Sequence, residues 1–234
     1  MGAITARSHS RRPAAGGLLA VPIVVIMVLC VLALAYVTYV LRPRLDFAPA
    51  AADVPPLPIM IADTLFRVPP RAIRFAVQRR AGTQERLDLA FFWPALTPAA
   101  DPTNEDLTAA AGRLFVTIAP GDGGLAPAER LKNIYPRYIS PNRGTGPDGL
   151  SAIAFLDDSP YQGEDVLFDE VAPHRFLARC TRDRGATAGS CLYERSFGKT
   201  AITFRFARTL LTQWRDLPAG FDRMLTALQA TARP

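Results

Sequence analysis

The hydrophobic pattern divides the chain into one long unbroken apolar run and a succession of short alternating ones. The long run is residues 18–41 (LLAVPIVVIMVLCVLALAYVTYVL), 24 residues without a charge. As a helix rising about 1.5 Å per residue it would span roughly 36 Å, enough to cross a hydrocarbon core of about 30 Å. A lone apolar segment in lipid must satisfy its backbone within itself, so the pattern predicts a single transmembrane helix. Ala33-Leu34-Ala35 resembles a signal-peptide cleavage site, but apolar residues continue to Leu41, longer than the apolar region of such a leader. Cys30 follows Leu29, too large a residue for lipoprotein processing, and reads as a small apolar residue.

A Pro/Ala-rich stretch at 42–58 reads as a semi-rigid spacer. Residues 59–61 and 65–68 then predict two strands about a tight turn at Ala62-Asp63-Thr64. Residues 71–78 predict one or two helical turns after Pro70. Leu87, Leu89 and Phe91 alternate on one face of a strand at 85–93 that Pro94 closes. Thr103, three residues before Asp106, gives a capping-box-like start to a helix at 103–111. Residues 114–118 predict a strand, and 127–138 a helix with Leu131, Ile134, Tyr135 and Tyr138 on one face. Composition makes 140–149 (SPNRGTGPDG) a loop. Runs at 150–156, 165–168, 174–180, 191–197 and 200–206 predict an antiparallel meander. From Ala207 the period lengthens. Leu210, Leu211, Trp214, Leu217, Phe221, Met224, Leu225 and Leu228 form a helical stripe interrupted near Pro218-Ala219-Gly220. The expected fold is α+β: one N-terminal transmembrane helix, then a single domain at 59–234 with a mostly antiparallel sheet covered by helices.

Charge adds orientation and excludes one class of partner. Five of the 27 basic residues (Arg7, Arg11, Arg12, Arg42 and Arg44) lie within residues 1–44. Residues 45–234 then carry 22 basic against 21 acidic groups, which removes the electrostatic footprint of a nucleic-acid-binding domain. The basic flank ahead of the apolar run outweighs the one behind it, predicting a cytoplasmic tail at 1–17 and a periplasmic domain at 59–234.

Candidate chemistry is sparse. Cys180 and Cys191 bracket a polar, Gly-rich loop between two β-like runs, where a hairpin would bring them to disulfide distance. Such a bridge fits the oxidising compartment that the charge asymmetry predicts. His9 and His174 are the chain's two histidines, so no His/Cys set has zinc spacing, and no metal or cofactor is expected. A hydrolase built on His174 and a carboxylate lacks a serine in a G-x-S-x-G setting. Gly198-Lys199-Thr200 imitates the end of a P-loop, but Tyr193 stands where the first glycine belongs, so the tripeptide reads as a turn. Residues 120–124 (PGDGG) could cradle an anion but lack a following lysine, and the Asp157-Asp158 and Glu164-Asp165 pairs read as solvated carboxylates. The segment at 68–96 combines Arg71, Arg74, Arg79 and Arg80 with Phe92 and Trp93, the composition that protein interfaces favour; the alternative is that Phe91 and Trp93 are core and the arginines a solvated face.

Within that segment Val68-Pro69, Ile73-Arg74-Phe75, Gln78-Arg79, Leu87-Asp88-Leu89 and Trp93-Pro94 resemble segments of uncharacterised single-pass, membrane-anchored proteins of Gram-negative bacteria. The resemblance implies a place in the envelope and supplies no activity or site residues. The sequence reading is therefore a single-pass inner-membrane protein. Its periplasmic domain is expected to act as a non-enzymatic accessory or scaffold module for another envelope or membrane protein. The alternative is a periplasmic sensor or binding module for a small ligand.

Overall fold

A computed structural model describes residues 17–41, 54–99, 111–183, 185 and 188–230. The chain divides into two compact units, residues 1–45 and 46–234. In the first, α1 (Gly17–Leu41) is a helix containing Pro22. The structure does not bear out the transmembrane helix expected here: among the described residues, no helix is long and apolar enough to cross a membrane. Arg7, Arg11, Arg12, Arg42 and Arg44, on which the expected orientation rests, lie outside the described residues, as do His9 and 42–53 of the spacer.

The second unit is mostly β. Strands β1 (Leu57–Ile61) and β2 (Thr64–Val68) form a hairpin, and β3 (Gly82–Thr83) pairs in parallel with β1. The other nine strands are β4 (Leu87–Phe92), β5 (Thr97–Pro98), β6 (Arg113–Pro120), β7 (Ile139–Thr145), β8 (Ser151–Phe155), β9 (Glu164–Phe168), β10 (Leu177–Thr181), β11 (Ser190–Phe197) and β12 (Thr200–Ala207). They form one antiparallel sheet in the order β5-β4-β6-β12-β11-β10-β9-β8-β7.

The α+β expectation overstated the helices. Residues 71–78 give only the 3₁₀ turns Pro70–Ala72 and Ala76–Gln78. The 127–138 helix shortens to α2 (Pro127–Asn133) and a 3₁₀ turn at Tyr135–Arg137, because Pro136 has no N–H with which to continue it. The expected loop at 140–149 supplies the edge strand β7. Its register shifts between Ile139 and Arg143, and that irregularity accommodates Pro141. The helix expected over 103–111 falls on residues 103–110, outside the described residues. The C-terminal stripe divides into a 3₁₀ segment, Arg208–Gln213, and α3 (Leu217–Ala230). Pro218 lies in the first turn of α3, where a missing donor costs least, so it starts the helix that it was expected to interrupt.

The period-2 alternation on the sheet makes two faces. Leu114, Val116 and Ile118 of β6 are buried on the core face with Ile202, Phe204 and Phe206 of β12. Helix α3 covers this face. Phe221 stacks on Phe204 with ring centroids 4.0 Å apart and planes 7° from parallel, and Tyr193 packs beside it. Each such aromatic removed from water contributes about 1.5–3 kcal/mol. On the opposite, outer face, α2 and its following turn cover only the β8–β10 end, over Ile153, Phe155, Val166, Phe168 and Leu177.

Cys180 and Cys191 face each other across β10 and β11 and form a disulfide. Alkylation of the denatured, unreduced protein should modify Cys30 alone. Three modified cysteines would refute the bridge. A second test concerns helix seating. A Cβ on Gly220 would lie 2.3 Å from Trp93 Cζ3, and that indole is held by Nε1–H donating to Gln213 Oε1 at 2.7 Å. Gly220→Ala should therefore lower unfolding stability by about 1–3 kcal/mol, overpacking outweighing the helix-propensity gain of about 1 kcal/mol. An unchanged denaturation midpoint would show that the ring can move aside.

Candidate functional site

The expected Arg/aromatic patch is divided between the two faces. Trp93 is buried, its ring edge-on to Phe221, and it belongs to the core. Phe92, the next residue back along β4, points the other way and lies half-buried on the outer face, with the Arg113 guanidinium 5.7 Å from its ring. Arg74 is exposed. Its guanidinium sits 4.3 Å from the Phe115 ring centroid and 5.2 Å from that of Phe75. The segment reaches this face because Ile73 bridges to Leu89 and the Arg74 N–H donates to the Asp88 carbonyl at 2.9 Å. Arg79 turns inward and donates from Nε and Nη2 to the Ile73 carbonyl, each at 3.3 Å. Arg71 and Arg80 are exposed.

Strand register assembles what the local sequence could not. Ala90, Phe115, Arg205, Leu192, Arg179 and Val166 stand opposite one another in turn across β4, β6, β12, β11, β10 and β9. This row alternates arginines with apolar groups along the outer face. Its β9–β10 end is closed: Arg179 pairs with Glu164 at 2.6 Å and lies over Tyr161. Toward β4 it is open, with Arg205 exposed and Phe115 and Leu192 half-exposed. The period-2 alternation of β6 and β12 was the available signal. Which strands are neighbours was not.

The carboxylates on this face are already engaged. Glu194 pairs with Arg130. Asp88, 3 % exposed, accepts from Arg86 Nε and Nη2 at 2.8 Å each, from Thr117 Oγ1 at 2.9 Å and from Gln78 Nε2 at 3.1 Å. Burial pushes its carboxyl up, but the hydrogen bonds from Arg86, Gln78 and Thr117, with the Arg86 charge, hold it below the ordinary carboxylate value. Arg74 and Arg205, both exposed, thus give the open strip a cationic balance, and an arginine stacked on an aromatic ring can still meet a carboxylate with the edge of its guanidinium.

Other sites expected from sequence carry less. His174 is exposed at the rim of a cavity of about 440 Å³ that Glu194, Arg195 and Asp222 also line. Asp222 pairs with Arg195, and His174 hydrogen-bonds no carboxylate among the described residues. Gly198 and Lys199 form the β11–β12 turn, with Gly198 at φ +56° and Lys199 Nζ 2.8 Å from Asp63 Oδ2. Among the described residues no group of three or more His, Cys, Asp or Glu is placed to hold a metal ion.

No protein-family model matches the chain, and no curated protein matches it. Two solved structures are similar at low identity. One is an immunity protein of the Stenotrophomonas maltophilia type IV secretion system, 13 % identical over 74 % of this chain and 93 % of that one, with a TM-score of 0.49. The other is the iron-regulated outer membrane lipoprotein FrpD of Neisseria meningitidis, 10 % identical over 74 % of this chain and 92 % of that one, with a TM-score of 0.41. At these scores neither likeness carries an argument about this chain.

A carboxyl held below its ordinary value adds stability above the unfolded-state pKa near 3.9, and that stability is lost as pH falls through the folded value. Asp88→Asn should therefore be less stable than the wild type at pH 7 by about 1–3 kcal/mol. The difference should shrink by pH 3. Denaturant titrations showing a constant difference across that range would mean that the charge on Asp88 contributes nothing.

Proposed function

We propose that residues 54–230 form a non-catalytic, protein-binding accessory module whose open outer face takes an acidic surface of an envelope protein. The observation that carries this reading is the half-exposed strip of Arg74, Phe92, Arg113, Phe115, Leu192 and Arg205, on which the nearby carboxylates are already paired. Arginine and aromatic groups side by side are enriched where protein interfaces bury most of their energy. The Cys180–Cys191 disulfide fits work in an oxidising, extracytoplasmic compartment such as the periplasm. A second reading, a module binding a small ligand, draws on the apolar pocket of about 350 Å³ that Phe91, Leu96 and Met224 line.

The test is crosslinking capture from an envelope extract with three full-length proteins: wild type, Arg74→Glu/Arg205→Glu, and Lys132→Glu as a charge-reversed control on α2. The wild type and the control should retain one stoichiometric partner, and the double variant should lose it at least tenfold. Equal recovery by all three, or no stoichiometric partner with the wild type, would overturn the reading.

A further inference from the structure

On the core side of the domain a pocket of about 350 Å³ opens between α3, β2 and the segment that follows β4. Its walls are apolar, formed by Pro69, Phe91, Leu96 and Met224 with further proline, alanine and leucine side chains. Among the described residues the polar groups lining it are two guanidinium groups, Arg67 from β2 and Arg223 from α3, and no carboxylate. Arg67 Nε is buried without a hydrogen-bond partner, and among the described residues neither arginine forms an ion pair. A buried donor left unmade is costly, and two like charges facing one apolar cavity are costly again, so the site is electrostatically incomplete as it stands.

We propose that this pocket binds a single-chain fatty acid, its carboxylate between Arg67 and Arg223 and its chain along Phe91, Leu96 and Met224. A carboxylate accepts from guanidinium groups in the geometry that makes the strongest charge-assisted hydrogen bonds. The volume lies at the lower end of the roughly 300–1,000 Å³ typical of ligand pockets, which suits one chain better than a two-chain lipid. A peptide C-terminus also offers a carboxylate, but it brings backbone amides for which this lining has no polar partner beyond the two guanidinium groups. The pocket and the outer-face strip lie on opposite sides of β4, since Phe91 and Phe92 point to opposite faces, so this inference stands or falls apart from the protein-binding reading.

Calorimetric titration of the full-length protein with dodecanoate, below its micelle concentration, tests the inference. One saturable site with micromolar affinity is expected. Arg67→Gln/Arg223→Gln should weaken binding at least tenfold, and dodecan-1-ol should bind the wild type at least tenfold more weakly than dodecanoate. Ala227→Trp, which places a ring at the exposed pocket wall, should abolish binding with the circular dichroism spectrum unchanged. If the double variant does not fold, Arg223→Gln alone carries the comparison from an exposed helix position. Non-saturable uptake, equal affinity in every variant, or tighter binding of N-acetyl-leucyl-leucine than of dodecanoate would each overturn the assignment.

Discussion

The domain depends on the seating of Phe221 against Phe204. The rings lie parallel at 4.0 Å, with Tyr193, Phe206 and Trp93 packed around them, and this contact fixes α3 over one face of the large sheet. Because the approach is so close, the residue before Phe221 must be the glycine over which the Trp93 ring lies. The apolar groups beneath α3 are buried, apart from those that line the pocket beside Met224. The other face has no helix of comparable length, since α2 ends at Asn133 and covers only the strands nearest it. One face is therefore core beneath α3, and the other passes from core at one end to an open surface at the other.

Polar groups follow the same division. Asp165 accepts from Arg182 Nε at 2.8 Å and Arg208 Nη2 at 2.7 Å, and so ties the start of the disulfide loop to the end of β12. Asp88 plays a similar part near the first strand of the large sheet, where Gln78 both donates to its carboxylate and accepts from its N–H. These carboxylates tie the turns and 3₁₀ segments at the strand ends to the sheet. With Asp88 engaged in this way, the exposed Arg74 and Arg205 dominate the charge of the open strip.

The strands were legible wherever alternation was clean. Leu87, Leu89 and Phe91, the 114–118 run and the runs on either side of Cys191 appear where period 2 placed them. Strand β7 was not legible, because proline, glycine and asparagine mark turns when read locally, while an exposed edge strand with a register shift tolerates all three. The short helices were overread for a related reason: an apolar stripe over Pro127 to Tyr138 records which residues face the core, and a 3₁₀ turn satisfies it as well as an α-helix does. The arginine–apolar row needed strand order, since Phe115, Leu192 and Arg205 are far apart in sequence and meet only through pairing. For Trp93 the local sequence left two readings open, interface or core, and the pleat that turns it to the side of Phe91 decides for the core.

The two ends of the large sheet have a consequence for recognition. Strand β5 has only two residues, one of them Pro98, and β7 carries Pro141 at its register shift. Neither edge presents a long ladder of free amides, so a visiting strand has little backbone to pair with. Recognition by this sheet is thereby directed to its broad side, where side chains alone meet the visitor. Specificity on such a surface can be rewritten one residue at a time without disturbing the register beneath it.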